Sequence, residues 1–251
     1  MAFRIEKAVG LILIFSALAS AADLTAEVRH KHLRKGAMGQ IDINAGGISF
    51  KETGKHAAHS QEWKYEDIQQ LTLSPTEISI LTYEGEKWQL GRDREYVFDQ
   101  LPEGFAAQIY TLLHAKLDQR FAAHLGDPDV LPKWQAPAKL LRRFGGSQGT
   151  LLVGEDRIEF KVEKGESYTW RLKDIQNVSS SGPFDLSITT LERSGVLHGS
   201  TSEYRFQLKE SLSEARYNEL WQKVNAANGL QVLFSPRGVI PEPERVKNPS
   251  K

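Results

Sequence analysis

The chain has no cysteine, and that absence removes disulfide staples, thiolate nucleophiles, cysteine-ligated zinc and lipid attachment through an N-terminal cysteine. It also lacks net charge. Its 32 Lys and Arg balance 32 Asp and Glu, so no global field draws it to nucleic acid or to an anionic bilayer, and a charged partner has to be met by a local patch. Catalytic signatures are missing too. There is no G-x-S-x-G, no H-E-x-x-H and no phosphate-cradling loop, and Gly145-Gly146-Ser147-Gln148-Gly149 leads into a strand pattern where a nucleotide cradle needs a helix. These absences set the expectation of a chain that is not an enzyme, needs no cofactor and binds no nucleic acid.

With 40% hydrophobic and 25% charged residues the composition is that of a soluble globular protein, and 251 residues are enough for two domains of ordinary size. The first segment stands apart. Arg4 and Lys7 flank a short apolar run, Ala8 to Ala19, and Ala19-Ser20-Ala21 supplies a small-residue cleavage site. A spanning helix needs about 20 apolar residues, more than this run offers. Residues 1–21 therefore read as a signal peptide, with the mature chain starting at Ala22, no transmembrane helix after cleavage, and a secreted or periplasmic location. An uncleaved anchor is the alternative, and in both cases the rest of the chain lies outside the cytoplasm.

The chain then repeats itself. Trp63-Lys64-Tyr65-Glu66-Asp67-Ile68-Gln69 returns as Trp170-Arg171-Leu172-Lys173-Asp174-Ile175-Gln176, and Gly39 to Phe50 matches Gly149 to Phe160 without a gap. Further on, Ser79-Ile80-Leu81-Thr82 matches Ser187-Ile188-Thr189-Thr190, and Tyr96-Val97-Phe98 matches Tyr204-Arg205-Phe206. Alternating apolar residues predict strands through both copies, with Val28, His30 and His32 on one face of the first.

Each copy closes on a helical period. Phe105, Ile109, Leu112, Leu113, Leu117 and Phe121 predict one amphipathic helix running on to a stop at Gly126. Ser211-Leu212-Ser213-Glu214 reads as a capping box before a second helix that Gly229 ends. Between the copies, 126–138 holds Pro128, Pro132 and Pro137 and reads as a stiff linker in which Trp134 pins the domains together. Leu140 to Phe144 would then open the second copy, and the Pro-rich tail, 235–251, reads as disordered.

The order G-x-(I/L)-x-(I/V), (I/R)-I-x-F, W-x-x-x-D-I-Q, S-I-x-T and a late Phe, followed by a closing helix, resembles the pleckstrin-homology-like (PH-like) fold, in its GRAM-like and bacterial variants. It covers residues 26–125 and 139–229. The resemblance implies a mainly β fold with α: two barrels, each of two crossed antiparallel sheets, each closed by a C-terminal amphipathic helix. It also implies a binding or scaffolding module that recognises a protein or peptide, here at the cell envelope. The alternative it implies is an anionic small molecule or lipid headgroup held by the first domain, although the hairpin loop Ala45-Gly46-Gly47 lacks the clustered cations of lipid-binding members.

Candidate site residues concentrate in the first copy. Arg29, Lys31, Arg34 and Lys35, beside a loop with His56 and His59, would make an anion site if they converged. Residues 22–125 hold 12 Lys and Arg against 15 Asp and Glu, so the other reading is a solvated, internally paired surface. His30, His32, His56 and His59 are weak candidates for an imidazole-only metal site and so for a metal-dependent hydrolase, against half-buried strand histidines and solvated loop ones. Trp63 and Trp170 are expected in the cores, and Asp67 and Asp174 as turn or backbone-capping carboxylates.

Overall fold

The computed structural model describes residues 23–31, 36–53, 60–86, 92–193 and 201–229. The expected signal peptide (1–21) and disordered tail (235–251) lie outside them. In the first half alternation builds β1 (Leu24–His30), β2 (Ala37–Ile43), β3 (Gly47–Glu52) and β4 (Ser60–Lys64). After one 3-10 turn come β5 (Ile68–Ser74), β6 (Glu77–Gly85), β7 (Asp93–Asp99), α1 (Phe105–Leu113) and β8 (Arg120–Ala123). The second half holds β9 (Trp134–Leu141), β10 (Gly146–Val153), β11 (Arg157–Lys161), β12 (Tyr168–Arg171), a second 3-10 turn, β13 (Ile175–Ser179), β14 (Asp185–Arg193), β15 (Thr201–Leu208) and α2 (Glu214–Ala227).

The fold is mainly β with two α-helices, and its strands join one sheet that does not close. The order is β13-β14-β15-β9-β10-β11-β12-β8-β5-β6-β7-β1-β2-β3-β4. The sequence repeat is visible in it, because β5-β6-β7-β1-β2-β3-β4 and β13-β14-β15-β9-β10-β11-β12 are the same order. Even the irregularity recurs: the register slips between Ile68 and Gln70 and again between Ile175 and Asn177.

Packing repeats as well. Trp63 lies 4.7 Å from Tyr96 and Trp170 lies 4.7 Å from Tyr204, while Phe50–Phe98 and Phe160–Phe206 are 4.9 and 5.1 Å apart. One apolar cluster gathers residues from Ala26 to Leu125, including Ile109 and Leu113 of α1. The other runs from Trp134 to Val224, including Leu220 of α2.

Three expectations change. The first helix ends at Leu113, a turn follows, and Phe121 sits on β8. Leu113, Leu117 and Phe121 are four apart and so mimic a helical face, but Phe121, Ala122 and Ala123 are consecutive and all buried, as in a strand covered on both sides. The expected linker holds the start of β9, where Trp134, Ala136, Ala138 and Leu140 are buried in alternation and Trp134 joins the second core. Small alanines and Pro137 disguised that pattern. Finally, the cap of α2 is Ser213, whose hydroxyl accepts from the Arg216 N–H at 3.3 Å, in place of Ser211.

Candidate functional site

Arg29 and Lys31, on and just after β1, face acids on neighbouring strands. Arg29 donates through Nε and Nη2 to both oxygens of Asp99, at 2.8 and 2.6 Å, and holds that carboxyl below its usual range. Lys31 pairs with Glu77 and reaches Asp99 at 3.7 Å. Two cations thus meet two acids in an internally balanced cluster. Arg34, Lys35, His32, His56 and His59 lie outside the described residues. His30 is 5% exposed and packs against Phe50, Tyr96 and Phe98, its ring 4.8 Å from that of Phe98. The other described histidines of this half are elsewhere: His114 meets the Tyr110 carbonyl and His124 meets Glu192. Among the described residues no three His, Asp or Glu side chains gather as a metal would need.

A denser polar construction lies where the halves meet. β8 runs parallel to β5, with Gln70 opposite Arg120 and Leu73 opposite Ala123, and its other side meets β12, where Thr169 faces Ala123. The Thr169 hydroxyl donates to the Leu125 carbonyl at 2.9 Å. Arg171, 7% exposed at its side chain, donates to Asp174 at 2.5 and 3.0 Å and to the carbonyls of His114, Leu117 and Gln119. The first is the C-cap carbonyl of α1 and the other two lie in the loop that follows, so Arg171 ties the helix end and its loop to the second half. Asp174 is thus the ion-pair partner of Arg171 and also accepts from the Phe121 backbone amide, and burial pushes its carboxyl up against the pull of both. Its counterpart Asp67 is exposed.

Other ties cross the same seam. The Arg193 backbone N–H donates to Gln70 Oε1 at 2.7 Å and its guanidinium to Asp93 at 2.8 Å. His124 Nε2 lies 3.0 Å from Glu192 Oε1, and Glu192 Oε2 accepts from the Tyr204 hydroxyl at 2.7 Å. Asp127 pairs with Arg157, and Glu159, 2% exposed, has its carboxyl raised by burial. A cavity of about 570 Å³ opens beside the seam, lined by His114 of the first half and by Glu155, Arg171, Lys173 and Lys223 of the second.

Of these junction residues the sequence singled out Asp174 alone, as a turn or capping carboxylate, and none as a ligand-binding residue. A signal was nevertheless present at one place, since Arg171 replaces Lys64 at the second position of the repeated Trp motif.

The sheet has two ends. At β13 the α2 side chains Asn228 and Tyr217 donate to the carbonyls of Ile175 and Val178, at 2.8 and 3.3 Å. At β4, the only strand paired with it among the described residues is β3.

No protein-family model matches the chain, and no curated protein matches it. Among solved structures it is similar to a chain from the structure of the Spt16D Pob3N heterodimer, at 12% identity, over 76% of this chain and 99% of that one, with a TM-score of 0.31. No helix of the described residues is long and apolar enough to cross a membrane.

Proposed function

We propose that the chain is an extracytoplasmic, non-enzymatic binding or scaffolding module of two PH-like domains, each a barrel closed by its helix, that recognises a protein or peptide at the cell envelope through strand edges. Residues 26–125 form the first domain, and the second begins at Trp134, earlier than the sequence pattern implies. The observation that carries this reading is the seating of β8 on the β12 edge: the scaffold already holds an extended segment by backbone pairing and polar side chains, which is how strand addition recognises peptides. The anionic-ligand alternative is disfavoured by the ion pairs that occupy Arg29 and Lys31.

Two measurements test the proposal. Intact mass of the exported chain should correspond to a start at Ala22; a full-length mass in the membrane fraction would overturn cleavage. Immobilised mature chain should retain a defined envelope protein that binds again, saturably, when purified. Retention of only phospholipid or small anions would overturn the protein-recognition reading.

A further inference from the structure

The repeat allows one half to serve as a template for the other. In the second half β12 receives β8, Arg120–Ala123, and the chain just after that strand sets His124 on Glu192 while the Tyr204 hydroxyl holds the other carboxylate oxygen. The first half carries the same equipment at equivalent positions. β4 corresponds to β12, since Phe50 faces Gln61 as Phe160 faces Tyr168. The Tyr96 hydroxyl donates to Glu84 Oε2 at 3.1 Å, the counterpart of the Tyr204–Glu192 bond. What differs is occupancy: the Glu192 side chain is 12% exposed and Glu84 is 61% exposed.

We propose that the β4 edge, with Glu84 and Tyr96, is a seat for an extended peptide carrying a basic residue where Arg120–Leu125 carries His124. This deepens the strand-edge reading above and rests on it. The chemistry of the occupant follows from what lines the seat. Gln61 stands where Tyr168 packs against the His124 ring, and its Oε1 is buried without a hydrogen-bond donor, as is Oε2 of Glu52 at the end of β3. Glu62 stands where the Thr169 hydroxyl donates to a carbonyl. The exposed carboxylates of Glu84 and Glu62, the second in place of a hydroxyl, call for an incoming segment rich in donors and positive charge. Arg94 competes weakly, since its guanidinium is 3.7 Å from Glu84 and also lies over the Tyr96 ring. The opposite end of the sheet is the poorer seat, because α2 side chains already take two β13 carbonyls.

The test uses the full chain and two synthetic peptides: one with the sequence of Gln119–Gly126, the other with lysine at the place of His124. Both should bind saturably and slow amide exchange of Ser60–Lys64 by about ten-fold or more, with Ile175–Ser179 unchanged. The lysine peptide should bind tighter, and Glu84→Gln should weaken it by about ten-fold while leaving the melting temperature unchanged. Protection at β13, equal affinity for both peptides, no binding at millimolar peptide, or β4 amides already protected in the free chain by its own tail or a second copy would each overturn the proposal. If a purified envelope partner binds and the lysine peptide does not displace it, this seat falls while the binding-module reading stands. If the peptides bind β4 and no envelope protein is retained, the seat stands and the envelope reading falls.

Discussion

Lys64 and Arg171 follow the two core tryptophans at equivalent positions, yet the Lys64 side chain is 71% exposed beside Glu66 and Arg171 is buried in the junction. Lysine is a point charge on a flexible stem, whereas the guanidinium fork can meet a carboxylate and several carbonyls at once. Arg171→Ala should therefore cost about 3–5 kcal/mol, because Asp174 is left as a buried charge without its partner. Asp174→Asn should cost less, since the carbonyls of His114, Leu117 and Gln119 still hold the guanidinium. Denaturant midpoints of the two variants check that order. Glu159 gives a pH signature at the same seam. Burial raises its carboxyl above the usual 4.5, so the folded chain favours the protonated form. The stability this group contributes is complete below about pH 4.5 and is lost as pH rises through the raised folded value. Glu159→Gln should then be more stable than the parent at neutral pH and equal to it near pH 4 in paired melting curves, and an advantage that grew on acidification would contradict the assignment.

Gly39 in β2 and Gly149 in β10 show why some elements were legible from the sequence. A Cβ at Gly39 would lie 2.4 Å from the Phe50 ring and 2.5 Å from the Lys51 carbonyl. At Gly149 it would lie 2.2 Å from the Lys161 carbonyl and 3.0 Å from the Phe160 ring. The glycine recurs because the strand that follows it crowds it twice. Alanine at either position should cost about 1–3 kcal/mol, the range for overpacking, and an unchanged denaturation midpoint would mean that the hairpin can shift to make room. Hairpins, core aromatics and the repeat order follow from such local patterns. The end of α1 does not, because the loop after it is held by a guanidinium from a distant strand, which takes the carbonyls of His114, Leu117 and Gln119. Nor does the start of β9, whose inward residues after Trp134 are two alanines. The candidate site was legible only in part for the same reason: the cations of β1 are obvious in sequence, but their acids, Asp99 and Glu77, arrive by strand pairing.

At the scale of the whole molecule, two domains on a stiff linker and one continuous sheet predict different unfolding. A linker lets each half melt at its own temperature. Here β8 is paired to a strand of each half, and Arg171, Arg193, His124 and Asp127 tie the same seam. Phe121 is the residue that separates the two cases. It is 2% exposed, it belongs to the first core, and the Arg171 guanidinium of the second half lies 5.4 Å from its ring centroid. Phe121→Ala should cost about 3–5 kcal/mol, as truncation of a buried aromatic does. If the sheet couples the halves, the calorimetric trace of the parent is one peak, and the variant moves all of it, with exchange protection falling together in β2 and β10. A low-temperature peak that shifts while a second stays in place would mean that β8 serves the first half alone and that the junction adds no cooperativity between them.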